Sequence, residues 1–182
     1  MAILERISEI GEKLQEFCGG KRRDKVVKFT DYLDEKLITR VSAKSKQEVI
    51  NQLIALLDKE DRLQDTKAFL DAIDKRENLV STGIGMGIAV PHAKLEGYND
   101  FFIAIAIVEE GVDWNALDET PVRVVFMIGG PDNRQNEYLG MLQLLTQAIK
   151  GRDLREKLAK SPMSPADVIK LFKETEEDGS FS

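Results

Sequence analysis

A chain of 182 residues has the length of one domain with a short attachment, and its 42% hydrophobic residues are enough to bury a core. A formal charge of −6 argues against general affinity for nucleic acid or an anionic membrane, since both select cationic surfaces. One cysteine (Cys18) and one histidine (His92) rule out an internal disulfide and supply no ligand cluster for zinc or iron, so no metal and no cofactor is expected and a reducing, cytoplasmic setting fits.

In chain order, Ile3, Ile7, Ile10, Leu14 and Phe17 form an apolar stripe over two heptads, which predicts an amphipathic N-terminal helix over residues 1–20, stopped by Gly19 and Gly20. Glu5, Glu9 and Glu12 do not fit a signal peptide. The stripe suits docking on the domain or pairing with a second copy as a homodimer. Residues 21–27, with Lys21, Arg22 and Arg23, read as a linker.

The domain proper is expected over 28–175. Residues 37–41 alternate as a short strand, and Ser45 with Glu48 forms a capping box for a helix carrying Val49, Leu53, Leu56 and Leu57 on one side. A second helix, 65–77, buries Phe69, Leu70 and Ile73 and delivers Arg76 in its last turn. A glycine-rich loop follows, and a short strand at 88–90 places His92 at its end. Residues 101–108 are apolar on both faces and predict a central strand, too short to cross a bilayer. Residues 122–128 predict a second buried strand, with Trp114 packing over the sheet edge and Gly129-Gly130-Pro131 breaking the sheet. A helix over 136–150 turns Leu139, Leu142, Leu145 and Ile149 inward and is capped by Gly151. Helices over 153–160 and from Pro165, behind Ser164 as cap, precede a frayed acidic segment from Glu174, with 176–182 as tail. Alternating strands and helices define an α/β class, a single domain with a mixed β-sheet covered by helices.

Chemistry concentrates in residues 81–94, STGIGMGIAVPHAK. A lone imidazole suits nucleophilic or acid/base work, or it simply packs; a neutral ring is a competent nucleophile when its other nitrogen is held by an acceptor. A phosphoryl group is the natural electrophile, since its transfer needs mostly positioning and charge neutralisation. Gly83, Gly85 and Gly87 are expected to turn backbone amides toward such an anion, with hydroxyls from Ser81 and Thr82. The pattern is neither GxGxxG nor a P-loop, so nucleotide binding has no support.

Arg76-Glu77-Asn78-Leu79 followed by STGIGMGIAVPHAK resembles the signature of the type-2 (fructose/mannitol) IIA domains of the bacterial phosphoenolpyruvate:sugar phosphotransferase system (PTS), a family that includes stand-alone nitrogen-related regulators. The likeness continues through GVDWNALDETPVRVVFMI (111–128) and NEYLGMLQLLTQAI (136–149), and spans about residues 28 to 174. It implies a mannitol/fructose IIA-like fold to which the N-terminal helix is extra. It also implies that His92 accepts a phosphoryl group from HPr or a paralogue and passes it to a cysteine of a IIB domain. Arg76 sits where the family has an arginine beside the active histidine, and its guanidinium suits a two-bond clamp on phosphate oxygens. One departure stands out. Where sugar-transporting members usually read NEH, this chain has Asn136-Glu137-Tyr138, so Tyr138 either offers the phosphoryl group a single hydrogen bond without positive charge or simply packs near the start of a helix. GVDWNALDETPV and the retained Asn136-Glu137 look closer to fructose-type members, which deliver sugar, while the tyrosine and the extra helix favour a regulatory role, in which partner binding follows the phosphorylation of His92.

Overall fold

The computed structural model describes residues 28–160 and 162–177; the amphipathic stretch, the linker over 21–27 and residues 178–182 lie outside them. A 3-10 turn at Phe29–Tyr32 leads into β1 (Leu33–Val41), then α1 (Lys46–Lys59) and α2 (Thr66–Leu79). Three short strands follow: β2 (Gly83–Gly85), β3 (Ile88–Ala89) and β4 (His92–Leu95). The long strands β5 (Phe102–Val112) and β6 (Val122–Pro131) precede α3 (Gln135–Lys150), α4 (Arg152–Lys160) and α5 (Pro165–Glu177).

The strands form one sheet in the order β1-β5-β6-β3-β2, with β4 also on β6. β1 runs parallel to β5, β5 antiparallel to β6, and β3 and β4 parallel to β6. The sheet is therefore mixed, as the alternation of elements predicts. Because successive strand residues face opposite sides, β5 and β6 sort their side chains into two cores. Ile103, Ile105, Ile107, Val124, Phe126 and Ile128 face one of them, where α3, α4 and α5 bring Met141, Leu145, Leu154, Leu158, Val168 and Phe172. Ala104, Ala106, Val108, Val125 and Met127 face the other, against Val49, Leu53 and Leu57 of α1 and Phe69 and Ile73 of α2. Small alanines on that side leave room for the helices to sit close.

Local chemistry sets the helix ends. Ser45 Oγ accepts from the Glu48 amide and Asp65 accepts from the Ala68 amide, each satisfying a first-turn donor. Three expectations change. β1 begins at Leu33 rather than Leu37, carrying the charged Asp34-Glu35-Lys36 through a register shift before Ile38. Gly129, Gly130 and Pro131 do not break the sheet but complete β6. Aromatic rings lie over both glycines: a Cβ at Gly129 would stand 2.2 Å from Phe102 Cζ, and one at Gly130 2.2 Å from Phe101 Cδ1. Gly151 is the C-cap of α3, as expected, with φ −61° rather than a left-handed value, and Arg155 Nη1 donates to the Ile149 and Lys150 carbonyls beside it. Finally, the segment from Glu174 is not frayed within the described residues, because α5 runs to Glu177 and Glu176 accepts from the Thr30 amide and hydroxyl.

Candidate active site

β3 and β4 are one stretch of chain holding one register against β6, with Ile88 opposite Val124 and His92 opposite Ile128. The interruption falls at Val90-Pro91, where proline has no amide hydrogen to give a ladder. The Val90 N–H donates to the Thr82 carbonyl at 3.0 Å, and the Val90 carbonyl faces the His92 ring, with Nδ1 2.9 Å away. A carbonyl only accepts, so Nδ1 carries the proton and Nε2 keeps its lone pair.

Arg76, delivered by the last turn of α2 as expected, donates from Nε to His92 Nε2 at 3.1 Å and from Nη1 to the Val80 carbonyl at 2.9 Å. Both contacts agree on the tautomer. Burial holds the His92 pKa below the usual imidazole value, and the Arg76 and Lys94 cations push the same way against the opposing effect of the Val90 carbonyl. At pH 7 the ring is neutral with its nucleophilic nitrogen under a guanidinium.

Tyr138, in the first turn of α3, lies beside that ring, with centroids 5.7 Å apart at 46°. It is 5% exposed, and its hydroxyl has no hydrogen-bond partner among the described residues. Burial raises the phenol pKa, so the group stays protonated. The Lys94 ammonium sits 4.7 Å from the centre of the Tyr138 ring and donates to the Gln135 side chain. Strand alternation makes Lys94 a same-face neighbour of His92, a signal present in the sequence as the spacing of two.

His92, Arg76, Tyr138, Ser81 and Thr82 line one cleft of about 340 Å³, walled by Ile84, Val90, Leu142, Leu145 and Ile149. Two expected donor sets are engaged elsewhere. Ser81 Oγ donates to the Trp114 carbonyl and accepts from the Gly83 amide. Thr82 Oγ1 donates to Glu77 and accepts from Trp114 Nε1 at 3.1 Å. These hydroxyls fasten the loop rather than face an anion.

Gly83, Gly85 and Gly87 also depart from expectation, since none lines the cleft. They shape the β2–β3 hairpin: Gly85 and Gly87 have φ of +85° and +76°, and the Met86 amide between them is taken by the Asp118 carboxylate at 2.7 Å. The anion at this glycine turn is the protein's own.

Glu77 was not foreseen as a site residue. It is 6% exposed, accepts from the Thr82 amide and hydroxyl, and pairs with Lys46 at 3.4 Å, which ties the glycine-rich segment to the helix turn that carries Arg76. Among the described residues no cluster of three or more His, Cys, Asp or Glu side chains is placed to hold a metal, and no helix is long and apolar enough to cross a membrane.

This α/β frame, with one half-buried histidine on an edge strand, is the fold of the IIA proteins. The crystal structure of the nitrogen regulatory protein IIA-Ntr from Neisseria meningitidis superposes with a TM-score of 0.72 at 27% identity, covering 79% of this chain and 97% of that one. Residues 31–175 match the family model described as phosphoenolpyruvate-dependent sugar phosphotransferase system, EIIA 2. The chain belongs to that family. It is 35% identical over 146 residues to the PTS system fructose-specific EIIABC component of Bacillus subtilis, covering 79% of this chain but only 23% of that much longer protein. It is 31% identical over 129 residues to the nitrogen regulatory protein of Pseudomonas aeruginosa, covering 71% of this chain and 84% of that one.

Proposed function

We propose that His92 is the phosphoryl acceptor of this IIA domain, using Nε2, and that the phosphorylated and free forms bind a protein partner differently. The observation that carries the reading is the pair of contacts on one ring: Val90 on the Nδ1 proton and Arg76 on the Nε2 lone pair.

The donor is a phosphohistidine carrier of the HPr type. As it approaches, Arg76 Nε leaves the lone pair and turns its N–H groups to the phosphoryl oxygens, while Nη1 stays anchored on Val80. The Nε2 lone pair forms the new N–P bond as the donor's N–P bond breaks and its electrons return to the donor nitrogen. The Nδ1 proton remains, because the Val90 carbonyl cannot supply one or take one away. The product ring is therefore a phosphorylated imidazolium, a ready leaving group for onward transfer. Lys94 and Arg76 offset the charge of the incoming group, close to two negative charges at neutral pH. Exposed Leu79 and Val80, 76% and 56% accessible, give a partner an apolar rim beside the cleft.

Tyr138 supports the regulatory form of this reading, because a buried neutral phenol adds no charge to speed transfer, and a change of about two charges at such a rim is enough for a switch. The 35% identity to a fructose-specific component favours a second reading, in which the group passes on to a IIB cysteine. The test is incubation with phosphoenolpyruvate, enzyme I and an HPr-type carrier. An acid-labile mass gain of one phosphoryl, lost in His92→Ala, is expected. Fast loss of that label to purified IIB domains selects the sugar-delivery reading; retention selects the regulator.

A further inference from the structure

The cleft beside His92 offers more than a phosphoryl group alone needs. Its 340 Å³ is within the range of small-molecule sites, roughly 300–1,000 Å³, and its walls are the apolar side chains of Ile84, Val90, Leu142, Leu145 and Ile149. Of its hydroxyls, those of Ser81, Thr82 and Thr146 are all bonded within the protein, Thr146 Oγ1 to the Leu142 carbonyl at 2.8 Å. Only the Tyr138 hydroxyl, on a side chain 95% removed from solvent, is without a partner among the described residues. That hydroxyl is closed to solvent as the cleft stands, so an incoming molecule reaches it only after a small turn of the Tyr138 ring, and one that brings an acceptor atom then satisfies it.

We propose that the cleft accepts a short-chain acyl phosphate directly, as a small-molecule phosphoryl donor to His92. The inference rests on the reading of His92 as acceptor and adds a substrate class to it. An acyl phosphate brings an anionic phosphoryl head for Arg76 and Nε2, a short apolar chain for the walls, and carboxyl oxygens between the two. The Nε2 lone pair bonds to phosphorus while the bond from phosphorus to the acyl oxygen breaks. That oxygen keeps the electron pair and departs as a carboxylate. The Tyr138 hydroxyl donates to it and keeps its own proton, as its burial dictates. Nδ1–H stays on Val90 throughout, so no other co-reactant is required.

The full chain is incubated with acetyl phosphate or butyryl phosphate, and phosphoryl addition is followed by intact mass, with the protein-donor reaction run in parallel. Each methylene moved from water to the cleft walls is expected to raise the rate about fourfold, so butyryl phosphate outpaces acetyl phosphate by more than tenfold. His92→Ala takes no label. Tyr138→Phe, which removes one oxygen and keeps the ring, slows the acyl phosphate reaction about tenfold. If the protein donor labels His92 but neither acyl phosphate does, or chain length and Tyr138→Phe change nothing, the cleft holds a partner's side chain instead and this proposal falls while the acceptor reading stands. If no donor labels His92, both fall.

Discussion

Replacing Glu77 by alanine tests how the fold holds the site. The carboxylate accepts from the Thr82 amide at 3.2 Å, from the Thr82 hydroxyl, and from Lys46 Nζ at 3.4 Å. Thr82 is 3% exposed, so water cannot substitute for the lost acceptor. Each stranded buried donor costs about 1–3 kcal/mol, and with the lost lysine partner the sum is about 3–4 kcal/mol. For a domain of this size that lowers Tm by about 10 °C. Thermal melts followed by circular dichroism measure it. Trp114, which donates to the same threonine, is the only tryptophan and gives a second local signal through its fluorescence. Glu77→Gln keeps the volume and one acceptor, and should recover about half of the loss. A fall of less than about 2 °C in Glu77→Ala would refute the reasoning, since that is under 1 kcal/mol.

Other outcomes follow from the same geometry. Arg76→Lys replaces a planar fork, which reaches His92 Nε2 and the Val80 carbonyl from two separate nitrogens, by one point-like ammonium that cannot set parallel N–H groups on phosphoryl oxygens, so phosphorylation by the protein donor should slow about 10- to 100-fold, the worth of one charge-assisted bond, in quench-flow assays. Gly129→Ala forces a Cβ into Phe102 and Phe69 from rigid β6 and should cost about 3 kcal/mol in urea denaturation, at the upper end of overpacking effects. For pH, the folded pKa of His92 lies below the unfolded value of ~6.5, so between the two the unfolded chain binds more protons. Its contribution to stability is thus full above pH ~6.5 and lost as pH falls through the folded pKa; His92→Gln should flatten that part of the stability profile.

Much of this was legible from residue order because it is local. Ser45 and Ser164 announce helix starts, and the two-sided apolar runs of β5 and β6 announce buried strands. Arg76 at the end of a helix and His92 after a proline could be placed from spacing, whereas their meeting was implied by the family resemblance alone. What could not be read depends on distant neighbours. Glu77 has the pattern of any solvated helical glutamate until Thr82 folds back on it. The glycines suggested an anion cradle, and only the tertiary structure brings Asp118 to the Met86 amide. Gly129 and Gly130 signal a break in isolation, yet stay in the strand because Phe101, Phe102 and Phe69 occupy the space above them.

Nitrogen-15 and phosphorus-31 NMR of the ring-labelled, phosphorylated protein tests the central claim most directly. Phosphorus coupled to Nε2, with Nδ1 still bearing its proton, is the predicted spectrum. A phosphoryl group on Nδ1, or an unlabelled imidazole after treatment with a competent donor, would contradict it.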